Sequence, residues 1–353
     1  MPSLEGIQVM RAVAAIAVVF THSITRVSVS INSNPESSFF KSADGNQWIV
    51  GDFGVDLFFV ISGFIMFYTH RSDFRRPGAI RSFLLKRAVR IIPLYWLLTS
   101  LTIFILLFAP SIFSNGRDVD VFWFVASYLF IPFPSPSGVI APTLGVGWTL
   151  NYEFMFYYLF AISLSFDQNK ALRIITGALL SLVLIGRTLP HGSNLITFYT
   201  SWLFLDFLGG VWVAWLVLYR KPINQGLRGC LFALGLGSIA YSAYWPPVET
   251  EVSRFIIWGI PSILIVLTGY KFCIPGLGGT VLRKVGAASY SIYLSQVFAL
   301  PFWAKIINYL NVRYVPFDCL VLLLTIMVIM SGIVVWIAVE RPLTAFFRHK
   351  ILL

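Results

Sequence analysis

Charged side chains are scarce in this chain. Only 12% of its 353 residues are Asp, Glu, Lys or Arg, roughly half the share usual in soluble domains. No polar stretch is long enough to fold as a soluble domain of its own. Cysteine is rare as well. Cys230, Cys273 and Cys319 stand singly, without metal-ligand spacing or a disulfide framework, and are expected as small apolar fillers. No metal site is expected. Acidic residues number 15 against 26 basic ones. That +11 balance would suit nucleic acid, but the basic residues cluster at the ends of apolar runs. This pattern belongs to the positive-inside rule and excludes a nucleic-acid partner. The N-terminus lacks a basic n-region and a small-residue cleavage site, so no removable signal peptide is expected. Internal repeats and low-complexity tracts are also missing.

What the chain has is apolar length. Hydrophobic residues make up 58% of it. A membrane span needs about 20 such residues. By that criterion ten spans are expected, near 6–27, 52–70, 88–109, 147–166, 171–188, 201–219, 228–245, 254–270, 288–307 and 318–340. Val121–Pro132 is too short to cross and is expected to be interfacial or re-entrant. The fold class is therefore all-α: a polytopic membrane protein of about ten transmembrane helices plus one short segment. With the N-terminus inside, 18 Lys and Arg fall on the cytoplasmic side and 7 outside, Arg11 lying within the first span. That asymmetry predicts cytoplasmic positions for both termini.

The first span, Gly6 to Val27, carries Arg11 and His22. Eleven residues on a helix make about three turns, so both project from one face roughly 16 Å apart. An arginine snorkelling to headgroups, or a histidine bonded between helices, would explain either residue alone. Both on one stripe, with acidic residues elsewhere in the spans, point to a polar channel. Asp56, Glu153 and Asp206 are expected at similar depth in the outer half of the membrane, in the layer of His22. A histidine partnered by a carboxylate suits acid–base chemistry; interhelical hydrogen bonding is the alternative use of the same groups. Around Glu153, the residues Trp148, Asn151 and Tyr152 supply the polar, aromatic wall of a sugar-facing site. At the inner side, Arg87 and Arg90 share a helical face. Two guanidiniums there form a phosphate site, with Arg11 at about the same level; plain positive-inside anchoring accounts for Arg71, Arg75, Arg76 and Arg81.

Six segments, in order, resemble the membrane-bound acyltransferase 3 family, most closely its exopolysaccharide-production (ExoZ-like) acetyltransferase branch. They are Leu4–Ala12 through His22, Gly54–Phe64, Phe83–Tyr95, Gly147–Phe156, Ala288–Leu294 and Glu340-Arg341-Pro342. The resemblance implies one integral-membrane acyltransferase domain over residues 1–353, in the bacterial cytoplasmic (inner) membrane. It implies transfer of an acyl group, usually acetyl, from cytoplasmic acetyl-CoA to a hydroxyl of an extracytoplasmic or lipid-linked glycan. The family's arginine–histidine pair maps onto Arg11 and His22, its paired arginines onto Arg87 and Arg90, its glutamate onto Glu153 and its aspartate onto Asp56. The ninth segment brings Tyr290 toward the acceptor. There the chain reads Tyr293-Leu294-Ser295-Gln296, with Gln296 where the family often has histidine. The departure bears on acceptor binding.

These residues predict a mechanism in which coenzyme A phosphates dock at Arg87 and Arg90. The thioester then reaches His22, which takes the proton of a sugar hydroxyl while Glu153 or Asp56 orients the imidazole. The competing function is a transporter or flippase of a lipid-linked sugar, with His22 and Glu153 as a proton relay. It predicts discontinuous helices in repeated halves. No soluble esterase-like domain is expected after Leu353.

Overall fold

The computed structural model describes residues 4–30, 38–40, 49–109, 119–189, 194–244, 250–310 and 315–352. His191 and the basic residues Lys41, Arg117 and Arg313 lie outside the described residues. The described chain is helical, apart from loops and one isolated bridge between Pro134 and Ile140. In hydrocarbon every backbone polar group needs an internal partner, and helices supply it.

The helices are α1 (Glu5–Ser30), α2 (Phe53–Thr69), α3 (Ala79–Phe108), α4 (Val121–Tyr128), α5 (Trp148–Ser163), α6 (Gln168–Thr188) and α7 (Asn194–Tyr199). They continue with α8 (Phe204–Tyr219), α9 (Gln225–Tyr241), α10 (Glu251–Arg254), α11 (Ile260–Gly269), α12 (Gly276–Tyr309), α13 (Phe317–Val335) and α14 (Arg341–Leu352). Helical stretches coincide with all ten expected spans. Among the described residues seven are long and apolar enough to cross a membrane, so the chain is a multi-pass membrane protein, and the other three of the expected ten do not meet that measure. The physical reasons differ. Helix α9 has 17 residues, or about 26 Å, short of a core of about 30 Å, and α5, which the turn Gly145–Gly147 leads into, is diluted by Asn151 and Glu153. Helix α12 has length to spare at 34 residues, but Ser289, Ser291, Ser295 and Gln296 dilute its apolar stretch. Val121–Pro132 forms only the eight-residue α4, too short to cross. Its start is set by Asp120, which accepts the Phe122 N–H at 2.8 Å. The three cysteines are exposed, so they are not the core fillers expected; each stands on a helix or loop facing outward.

The chain divides into two compact units. One comprises Met1–Tyr68 and Leu205–Trp336, the other Thr69–Phe204 and Ile337–Leu353. In the first, α1 is packed between α2, α12 and α13. A core of small and branched side chains fills the seam, including Ala12, Ala15, Val19, Ile292, Leu324 and Val328. Two glycines set the spacing. A Cβ at Gly54 of α2 would run into the Ala14 carbonyl oxygen, and one at Gly286 of α12 into the Gln8 carbonyl oxygen. Small residues thus let α2 and α12 approach α1 backbone to backbone. In the second unit α3 packs on α4, α5 and α14, and α5 on α6. Helix α3 begins nine residues before the apolar run that signals it, at left-handed Gly78. Arg87 and Arg90 are therefore well inside a continuous helix rather than at its start. Phe83, Phe156, Phe160 and Tyr157 form an aromatic layer beneath them.

Candidate active site

In the first unit the polar groups gather around His22. Its Nδ1 lies 3.0 Å from Oε1 of Gln296 on α12. Gln296 is fully buried, and its Nε2 donates to the Tyr293 carbonyl at 2.8 Å. The carboxylate facing His22 is Asp52, within electrostatic reach of the imidazole. Asp52 ends a single tight turn, Val50–Asp52, that leads into α2. That turn lies on α1 because Gly51 has no Cβ to strike the Ala17 carbonyl and the Thr21 hydroxyl.

Asp56 stands one turn deeper on α2. Its side chain is fully buried and accepts Nη2 of Arg254 at 2.8 Å and Nε at 3.2 Å. The same Nη2 reaches the Asp52 carbonyl at 3.4 Å. Asp206 of α8 is also buried, and neither of its carboxylate oxygens has a hydrogen-bond partner among the described residues. Glu153 or Asp56 was expected to orient the imidazole; Asp56 is held in a two-pronged ion pair with Arg254, and the hydrogen-bond partner of His22 Nδ1 is Gln296 Oε1. A π-helical turn, Phe255–Gly259, follows Arg254. It brings the Trp258 ring under the guanidinium, 5.1 Å from its centroid, and Trp258 Nε1 donates to Ser242 at 2.9 Å. Such π turns insert one residue and re-aim a helix face. Nearer the start of α1, Arg11 is buried and donates to the Ser289 hydroxyl at 2.8 Å. Tyr290, the next residue on α12, is half-buried.

The second unit holds the other predicted groups. Arg87 lies over the Phe83 and Tyr157 rings, 5.6 and 6.0 Å from their centroids. Its Nε is buried without a hydrogen-bond partner among the described residues. The Tyr157 hydroxyl donates to Glu153 Oε1, one turn back on α5, so Arg87, Tyr157 and Glu153 form one cluster. Arg90 is half-buried on the same helix as Arg87 and adds its charge to it. Asn151 is 2% exposed, and neither amide atom has a partner among the described residues. Trp148 meets Tyr152 edge to face at 5.8 Å, and Tyr152 stacks on Phe198 at 3.9 Å. His70 is buried against Phe83 with its Nδ1 at 2.9 Å from the Thr69 hydroxyl. His349 lies on the terminal helix α14.

The family of the acyltransferase domain matches residues 4–339. The chain belongs to that family. Within it, the chain is 35% identical over 269 residues to the exopolysaccharide production protein ExoZ of Rhizobium meliloti strain 1021, covering 74% of this chain and 80% of that protein. It is 24% identical over 324 residues to the peptidoglycan O-acetyltransferase OatA of Listeria monocytogenes, covering 83% of this chain and 48% of that protein. No solved structure matches.

The family match spans the first five expected segments and ends just before Glu340-Arg341-Pro342; three residues that complete their side-chain networks escaped the pattern. Asp52, Arg254 and Tyr157 each stand beside a residue that was singled out. Two had a visible signal. Asp52 precedes Asp56 by four and Tyr157 follows Glu153 by four, the spacing of neighbours on one helix face. Arg254 had none, since by count it is one more outer-loop charge.

Proposed function

We propose that this protein is a single integral-membrane domain that O-acylates a glycan, taking the acyl group, acetyl in the first instance, from acyl-CoA. The donor enters from the cytoplasmic side, where both termini lie. The acceptor is a hydroxyl of an extracytoplasmic or lipid-linked saccharide, in keeping with relatives named for exopolysaccharide production and peptidoglycan O-acetylation. His22 is the general base. The observation that carries this reading is His22 itself: a half-buried imidazole inside a span, hydrogen-bonded on one nitrogen by a buried glutamine and faced by Asp52.

The roles divide as follows. Arg87 and Arg90 take the coenzyme phosphates, and the unpartnered Arg87 Nε supports that use. Arg11 lines the path toward His22. The acceptor hydroxyl gives its proton to the imidazole as its oxygen attacks the thioester carbonyl. The C–O bond forms, the C–S bond breaks, and the coenzyme thiolate leaves with the proton from the imidazolium. Asp52 offsets the positive charge that His22 holds in between. Asn151, with Trp148, Tyr152 and Tyr290 as aromatic surface, serves the sugar. Glu153, held by Tyr157, balances the charge of Arg87.

Proteoliposomes given labelled acetyl-CoA and surface glycan test the proposal. Labelled glycan is expected from the wild type and a fall of at least ~100-fold from His22→Ala. Full labelling by that variant, with the protein inserted, overturns the assignment of His22. Movement of unlabelled saccharide with no acyl transfer would instead favour a flippase.

A further inference from the structure

Gln296 has two polar ends and both are committed, which decides something that a histidine's geometry alone leaves open. A carbonyl oxygen can only accept. The Tyr293 carbonyl, 2.8 Å away, therefore requires the amide nitrogen of Gln296 on its side. Turning the amide over would set two oxygens against each other in a site that is 0% exposed, where no water relieves them. The amide oxygen must then face His22, 3.0 Å from Nδ1. It too can only accept, so Nδ1 must carry the hydrogen.

We infer that Gln296 is a positioning residue that holds His22 as the Nδ1–H tautomer and so reserves Nε2 as the atom that takes the acceptor's proton. Nε2 has no hydrogen bond among the described residues. The chain Tyr293 C=O, Gln296 amide, His22 Nδ1–H fixes the ring plane as well, because the amide is itself anchored on the α12 backbone. In triad enzymes a carboxylate performs this orienting task. Here a neutral amide does so, and the carboxylate, Asp52, faces the ring without a hydrogen bond to it. The closest carboxylate on the next turn, Asp56, is held by Arg254. Asp318, at the start of α13, takes the Ser38 hydroxyl and the Phe39 N–H at 2.6 and 2.9 Å.

The inference rests on His22 being the base, and the experiment separates the two. The chain has four histidines, so 15N-histidine labelling of the whole protein in detergent gives a tractable spectrum. At alkaline pH, long-range 15N–1H correlations distinguish the protonated from the bare ring nitrogen, and His22→Ala assigns the His22 signals. A protonated Nδ1 and a bare Nε2 are expected in the wild type. Gln296→Leu should lose that preference and lower kcat roughly 10- to 100-fold, the usual cost of removing an orienting partner, with KM for acetyl-CoA within about twofold of wild type. Gln296→Glu, held as the neutral acid with its O–H on the Tyr293 carbonyl and its C=O toward Nδ1, should retain both the tautomer and most of kcat. Wild-type His22 protonated on Nε2, or Gln296→Leu with unchanged tautomer and kcat, overturns the inference and leaves the base assignment standing. Activity surviving in His22→Ala overturns the base assignment whatever the tautomer.

Discussion

Two groups of buried polar side chains, one in each unit, are treated in opposite ways, although the first unit also buries oxygens of Gln8, Asp206 and Ser295 without a partner among the described residues. In the first group, donors and acceptors are closed on one another: Arg254 on Asp56, Gln296 on His22 and Tyr293, Arg11 on Ser289. In the second, Arg87 Nε and both amide atoms of Asn151 are buried with no protein partner among the described residues. A closed network holds a reactive group still; an open one is complete only with something else bound. Leaving a buried polar atom unpaired costs about 1–3 kcal/mol, and a fold that tolerates several in one place gains by binding there. The two groups thus differ in use: chemistry is held rigid around His22 and Asp56, and recognition is left open at Arg87 and Asn151.

Breaking the closed side should have the largest effect. Asp56→Ala leaves the partly buried Arg254 without its ion-pair partner, which costs up to ~3 kcal/mol, the lower end for a buried pair. Sharply reduced yield of folded protein and a lower melting temperature in detergent are expected. The double replacement Asp56→Leu with Arg254→Leu should recover most of that loss. Failure of the double variant to recover would mean that the pair does more than neutralise itself.

Arg87 tests the open side. Arg87→Ala should raise KM for acyl-CoA by roughly 10- to 100-fold, the worth of a hydrogen bond to a charged group. Arg87→Lys should recover only part of it, because it cannot reproduce a planar fork stacked on Phe83 and Tyr157. Unchanged KM with reduced stability would place Arg87 among the closed groups. Asn151→Leu sharpens the contrast further. Its amide bonds to no protein atom among the described residues, so the melting temperature should hold or rise, whereas KM for the glycan should rise several-fold. A loss of stability with unaltered KM would reverse that assignment.

Much of this was written in the sequence, and what was hidden was hidden for physical reasons. Long apolar runs announced the helices because only helices satisfy a backbone in lipid. Arg11, His22, Asp56 and Glu153 stood out because polar groups are costly there. The pairings they make did not. Gln296 was singled out for acceptor binding, and nothing in Ser295-Gln296-Val297 says that its amide faces a histidine 274 residues earlier. Arg254 looks like a loop charge until α10 and the π turn bring it onto Asp56. The length of α3 was also hidden, because Arg81, Ser82, Lys86 and Arg87 interrupt its first turns and a hydropathy reading begins only with the unbroken apolar part.

The smallest predicted effect lies at the membrane surface. Asp167 caps α6, accepting the Lys170 N–H at 2.9 Å, and pairs with Arg75 at 3.3 Å. The Lys170 N–H above all, and Arg75 after it, hold its carboxyl below the usual range. A depressed folded-state value means stabilisation that is complete above the ordinary carboxylate range and lost as pH falls through the lower one. Asp167→Ala should therefore melt slightly earlier than wild type at neutral pH, and the gap should close in acid. A gap that persists in strong acid would rule out the carboxylate as its source.

The seam of α1 and α12 has a consequence for biogenesis. The first helix is made first, yet Gln296 is 274 residues away along the chain. At 5–20 residues per second, roughly 14 to 55 s of translation separate His22 from the residue that orients it. Throughout that interval α1 is already in the membrane with an incomplete polar stripe, an intermediate that membrane chaperones and proteases can recognise. The site is thus finished only by a nearly complete chain, and a truncated product carries its histidine without the means to use it.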